Sequence, residues 1–108
     1  MRKAKVYFHG RPAGVLSEVE EGYMFLYDPE YLVDKEAEPV SLTLVKRNEP
    51  YISKVMFPFF DGLIPEGWLL DIAEKNWKIS ARDRMGLLLA CCRDCIGAVS
   101  IIDESNSE

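Results

Sequence analysis

Apolar and polar residues alternate through the first quarter of the chain, and a longer repeat replaces that alternation near the other end. Lys5 to His9 alternates, with Val6 and Phe8 on one side and Tyr7 on the other, which is the period of a half-buried strand. Gly10-Arg-Pro-Ala-Gly14 predicts a turn. Val15, Ser17 and Val19 then alternate with Leu16 and Glu18 in a second strand. Glu20-Glu21-Gly22 predicts a short turn, and Tyr23 to Tyr27 a third strand rich in aromatics. Three such strands make an antiparallel meander. Asp28-Pro29 ends it, and residues 30–39 are charged and predict irregular chain with a short turn at Tyr31-Leu32. Val40 to Val45 alternates again, with Val40, Leu42 and Leu44 on one face, and predicts a fourth strand before a polar loop from Lys46 to Pro50.

The longer repeat starts at Pro65, a residue suited to a first helical position because its missing N–H has no partner there in any case. A helix from Pro65 to about Trp77 puts Leu69, Ile72, Ala73 and Asn76 on one face. Ser80 to Asp83 has the spacing of a capping box. The helix it would start carries Met85, Leu88, Leu89 and Cys92 at i, i+3, i+4 and i+7. Asp94 breaks that pattern, and Cys95 to Ile102 predicts a last, buried strand. Strands, two helices and a strand imply a single α+β domain over residues 1–102, with helices on one face of a mainly antiparallel sheet of about five strands. Residues 103–108 form a polar tail.

Between the two halves lies Phe57-Pro-Phe-Phe-Asp-Gly-Leu-Ile-Pro-Glu-Gly-Trp68. Its prolines and glycines argue against a continuous strand or helix, and its aromatics against a flexible linker. The pattern predicts a shaped loop that leads into a helix and presents Trp68 near the helix start. In that helix Trp68 lies about 100° from Leu69, on the side of Lys75, so it falls at the margin of the buried face. Two readings stand side by side: a tryptophan half-covered by Phe59 or Phe60, and an exposed residue of the kind that dominates binding hot spots.

Composition narrows the function classes. The 108 residues are 48% hydrophobic, which fits a globular domain. The net charge of −5, from 18 acidic and 13 basic residues, argues against sequence-independent nucleic-acid binding by this chain, and Lys46-Arg47 and Arg82-Asp-Arg84 predict solvated faces. No apolar run approaches the ~20 residues of a membrane span, no signal-peptide core follows the basic start, and a cytoplasmic location is expected. Cys91, Cys92 and Cys95 are too few and too close for a disulfide framework; a packed, reduced cluster is the simpler reading. No cofactor is implied. Glycine-rich phosphate loops and kinase triplets are absent from the sequence, so no enzyme activity is expected. Asp61 and Glu66 flank the aromatic segment, but a turn carboxylate and a first-turn carboxylate explain them better than an acid–base pair.

Phe59-Phe-Asp-Gly-Leu-Ile-Pro-Glu-Gly67 resembles the F-F-x-x-L-L-P-E-G stretch in the N-terminal subdomain of HipA-type Ser/Thr kinase toxins. Val6-Tyr-Phe-His-Gly-Arg-Pro-Ala-Gly-Val-Leu16 resembles that subdomain's first hairpin, and Val40-Ser-Leu-Thr-Leu44 its next strand. Arg84-Met-Gly-Leu-Leu88 and Asp94-Cys-Ile-Gly-Ala-Val99 resemble its closing helix and strand. Because the chain stops at Glu108, it is similar to the HipS-type antitoxins of three-gene HipB–HipS–HipT systems, where the kinase lacks this subdomain. The resemblance implies an antitoxin that binds and inhibits a HipT-like Ser/Thr kinase, in a complex with a HipB-like DNA-binding protein. The surface expected to meet the kinase comprises Phe59, Phe60, Asp61, Leu63, Ile64, Glu66 and Trp68. Two alternatives are a supporting subunit that completes the kinase without blocking it, and the first part of a longer toxin.

Overall fold

The structure, a computed structural model, describes residues 1–64, 82–91 and 98–104. Strands β1 (Lys3–Phe8), β2 (Arg11–Val19), β3 (Gly22–Tyr27), β4 (Tyr51–Ser53) and β5 (Val99–Asp103) form one antiparallel sheet in the order β4-β3-β2-β1-β5. The predicted meander is present, but its first turn is tighter than expected. His9 and Gly10 both have positive φ, 53° and 77°, as in a two-residue hairpin loop whose twist matches that of the strands. β2 therefore starts at Arg11, within what the sequence suggested was a turn. Pro12 fits inside the strand because the register shifts beside it: Val6 faces Gly14 and Tyr7 faces Pro12, with Ala13 between as an extra residue. A bulge is one of the few places where a residue without an N–H does not break a ladder.

The predicted strand Val40–Val45 is instead a turn. Ser41 and Leu44 bridge each other, and the Leu44 N–H donates to the Ser41 carbonyl at 3.1 Å. Val40 and Leu44 are buried, whereas Leu42, expected to share their face, is 93% exposed. The cause is the Tyr27 hydroxyl, which accepts from the Val40 N–H at 3.1 Å and donates to the Leu44 carbonyl. One buried hydroxyl thus satisfies backbone groups at both ends of the turn. Burial pushes its pKa up to about 12, so it remains a donor. The fourth strand is Tyr51–Ser53, where a Cβ on Gly22 would lie 2.1 Å from the Ser53 carbonyl; only glycine lets β4 close on β3 there.

The stretch expected to be irregular contains a short helix, α1 (Pro29–Val33), with Pro29 in its first turn. Its Tyr31 ring stacks on Tyr27 at 6.0 Å. Lys46, expected to be solvated, donates to the carbonyls of Asp34 and Ala37 at 2.7 and 2.8 Å, and Arg47 lies over the Tyr51 ring at 3.7 Å. Two further helices are described, α2 (Pro58–Asp61) and α3 (Arg84–Cys91). On α3, Met85, Leu87 and Leu88 are fully buried with Ile101 of β5, and Leu89 packs beside them. The predicted helix from Pro65 to Trp77, Ser80, and the first residues of the predicted last strand lie outside the described residues. β5 itself runs through Asp103, and the Glu104 N–H donates to the Lys3 carbonyl at 2.9 Å, so the sheet takes in the first residues of the expected tail.

Arg2 ties α3 to the sheet. Its guanidinium donates to Glu18 of β2 at 2.8 and 2.9 Å and to Asp83 at 2.7 and 3.0 Å. Asp83 also accepts the Gly86 N–H at 3.0 Å, which makes it the N-cap of α3 rather than the far end of a capping box begun at Ser80. A Cβ on Gly86 would lie 2.4 Å from Asp83 Oδ2 and 3.0 Å from Arg2 Nη1. Hydrogen bonds from Arg2 hold the Glu18 and Asp83 carboxyls below their ordinary pKa. Each group is partly exposed, so the network contributes about 1–2 kcal/mol rather than the full value of a buried charged pair.

Two outcomes follow for stability. Gly86→Ala should destabilise the domain by about 1 kcal/mol in urea denaturation, although helix propensity alone favours alanine by a similar amount; a gain in stability would mean that Asp83 is free to move. The depressed carboxyl pKa values also fix a sign. Stability from the Arg2 network is complete above the ordinary carboxylate range near ~4 and is lost as pH falls through the lower native values. Arg2→Met should flatten that acid limb of the stability–pH curve, and an unchanged slope would exclude the network as its source.

Candidate partner-binding site

Residues 57–64 form a helical turn where the sequence suggested a loop. Pro58 is in the first turn of α2, the Asp61 N–H donates to the Phe57 carbonyl at 2.9 Å, and the Gly62 N–H donates to the Pro58 carbonyl at 2.9 Å. Tighter bonds continue the winding, from Leu63 N–H to the Phe60 carbonyl at 3.0 Å and from Ile64 N–H to the Asp61 carbonyl at 3.2 Å. Proline at the start and glycine after the last helical residue punctuate one short turn instead of preventing it.

This winding sorts the expected contact residues. Phe60 points into the core and is fully buried, with its ring 5.3 Å from Phe25, 6.1 Å from Phe57 and 5.2 Å from Phe59. Phe57 and Ile64 are buried as well. Their apolar area is used within the domain, because the sheet face beneath them needs a cover. Phe59, Asp61 and Leu63 are half-buried and retain outward surface. Glu66 and Trp68 lie outside the described residues.

Asp61 also has a role that the sequence did not reveal. Arg84 Nε, in the first turn of α3, donates to Asp61 Oδ1 at 2.6 Å. The pair joins α2 to α3 across the surface. Both side chains are substantially exposed, so the pair positions the helices more than it stabilises them, at about 0–1 kcal/mol. A guanidinium on its carboxylate also counts against Asp61 as a free catalytic base. Arg84 was expected on a solvated face; nothing in a local reading links residues this far apart in sequence.

The described side chains of this segment offer apolar contact and hydrogen bonding. His9 is exposed at the apex of the first hairpin. Among the described residues no group of three or more His, Cys, Asp or Glu side chains could hold a metal ion, and Cys92 and Cys95 lie outside them. No described helix is long and apolar enough to cross a membrane.

Comparison with known proteins agrees with this architecture. The family model described as the HipA N-terminal domain matches residues 4–102. An uncharacterized protein of Haemophilus influenzae is 34% identical over 104 residues, covering 96% of this chain and 94% of that protein. A putative kinase, Y4mE, of Sinorhizobium fredii is 30% identical over 105 residues, but the match spans only 25% of its length. The solved structure of an N-terminal domain of HipA toxin superposes with a TM-score of 0.74 at 29% identity, covering 99% of this chain and 96% of the other. A match that takes in all five strands and the three described helices places this chain in the HipA N-terminal domain family.

Proposed function

We propose that this chain is an antitoxin of the HipS type, which binds a HipT-like Ser/Thr kinase and inhibits it through the segment that begins at α2. The observation that carries this reading is the firmness of the segment's root. Phe57, Phe60 and Ile64 are locked in the core, and Asp61 is held by Arg84. A contact presented from a rigid element loses less conformational entropy on binding than one on a free loop. Phe59, Asp61 and Leu63 supply the outward surface at this root, and Glu66 and Trp68 follow directly in sequence. The H. influenzae relative, which is nearly all this domain, supports a role for the module as a separate chain.

A second reading has its own support. The S. fredii relative carries the same module as about a quarter of a putative kinase, which favours a supporting subunit that completes the kinase, or bridges it to a HipB-like DNA-binding protein, without blocking catalysis. Adding this chain to a HipT-like kinase separates the two: phosphorylation should fall under the first reading, and rise or stay unchanged under the second.

The same assay tests individual residues. Trp68→Ala should leave the fold intact and weaken kinase binding by more than about 2 kcal/mol, roughly 30-fold. Phe60→Ala should act differently, with a loss of about 3–5 kcal/mol of folding stability from the cavity it leaves. A folded Trp68→Ala protein that neutralises the kinase as well as the parent would remove Trp68 from the contact.

A further inference from the structure

Successive side chains of a strand point to opposite faces, and the pairing registers define what the second face of this sheet carries. Val15 sits between Lys5 and Leu26, and Lys5 in turn faces Ile102. In the next row, Ser17 faces Met24 and Met24 faces Ile52. Tyr7, Val15, Met24, Leu26, Ile52 and Ile102 therefore lie on one surface that crosses all five strands. Among the described residues every helix covers the other face: Tyr31 of α1 on Tyr27, Phe60 of α2 on Phe25, and Met85 and Leu88 of α3 in the cluster with Ile101. An antiparallel sheet with a wetted face normally shows polar residues there. Here Ile52 is 69% and Leu26 38% exposed; Ser17 is buried, and Lys3, Ser100 and Lys5 with its ion-pair partner Glu104 are the other polar residues beside the apolar ones.

We propose that this open sheet face is a second part of the kinase-binding surface, the part that fastens the two proteins together. The inference rests on the reading of this chain as a kinase-binding antitoxin and adds where the partner sits. Two observations choose that occupant. First, the chain that leaves the open face at Ile52 of β4 runs within a few residues to the proposed contact, through Val55, which is 68% exposed, to Pro58 and Phe59 at the start of α2. Second, in the HipA toxin this module is N-terminal, and it makes up a quarter of the S. fredii putative kinase. The last strand, β5, is the opposite edge of the sheet, and its Ile102 already lies on the open face. A chain that continues past Asp103, as in a longer protein carrying this module, leaves from the β5 edge that borders this face. A second copy of the domain fits less well. A five-strand face offers about 400–500 Å² from strand spacing and length, which is short of the ~800 Å² per partner of a standard interface, whereas a kinase that also meets α2 adds the missing area.

Substitutions at exposed positions test this directly. Ile52→Lys and Leu26→Lys, in the full chain, should each weaken binding to a HipT-like kinase that lacks this domain by about tenfold or more, measured by titration calorimetry. Thermal unfolding should remain that of the parent; Ile52, the more exposed of the two, carries the test if Leu26→Lys does not fold. The free chain should be monomeric by light scattering. If both folded variants bind the kinase as tightly as the parent, the sheet face is not part of the contact, and the inhibitor reading stands without it. A parent chain that binds no kinase removes the inhibitor reading and this inference together. A free dimer that Leu26→Lys dissociates would assign the face to a second copy and overturn the proposal.

Discussion

The packing of Phe60 against Phe25 is the contact on which the remaining architecture depends. Phe25 lies on the covered face of β3, opposite Leu16 of β2, and the three described helices are short. None of them is long enough to cover that face alone. Phe60 closes the gap and extends a row of rings from Phe59 through Phe60, Phe25 and Tyr27 to Tyr31. Fully burying a side chain of this size contributes about 1.5–3 kcal/mol. The exposed Asp61–Arg84 pair beside it contributes at most about 1 kcal/mol. Burial therefore fixes α2, and the ion pair ties it to α3.

That ranking separates the structural part of the Phe-Phe-Asp-Gly motif from the part available to a partner. Sequence showed a segment too aromatic to be a linker, and it is not one. It could not show that Phe60 and Ile64 face inward while Phe59 and Leu63 keep surface, because a core phenylalanine and a docking phenylalanine have the same local signature. The direction of each ring is decided by the helical turn that Pro58 starts and by the empty seat above Phe25. Neither is visible until β3 and α2 are placed together.

The same limit accounts for the rest of the legibility of the fold. The meander and the burial of Met85 and Leu88 on α3 were readable because their periods are local, whereas Leu87, fully buried as well, falls outside that repeat. The turn at residues 40–44 was not, since Val40 and Leu44 are buried as a strand would bury them. What bends the chain is a hydroxyl on Tyr27, in a strand already completed. α1 was hidden in the same way: Tyr31 looks like one residue of a charged loop until Tyr27 offers a ring to stack on. The Arg2–Asp83 bridge joins residues 81 positions apart, and no spacing rule connects them.

A module found both within a putative kinase and in a relative of about its own length binds at least entropic cost, when it acts as a separate chain, if its surface is preformed. Both surfaces discussed above meet that condition. The root at α2 is held by the core, and the open face is part of a sheet held by its own hydrogen bonds. An apolar face carried by a free chain also invites self-association. The net charge of −5 opposes that between identical copies, while it does not oppose a kinase surface of neutral or basic character. On the proposed reading the acidic balance and the apolar face work together: the first keeps copies apart, and the second stays available for a kinase.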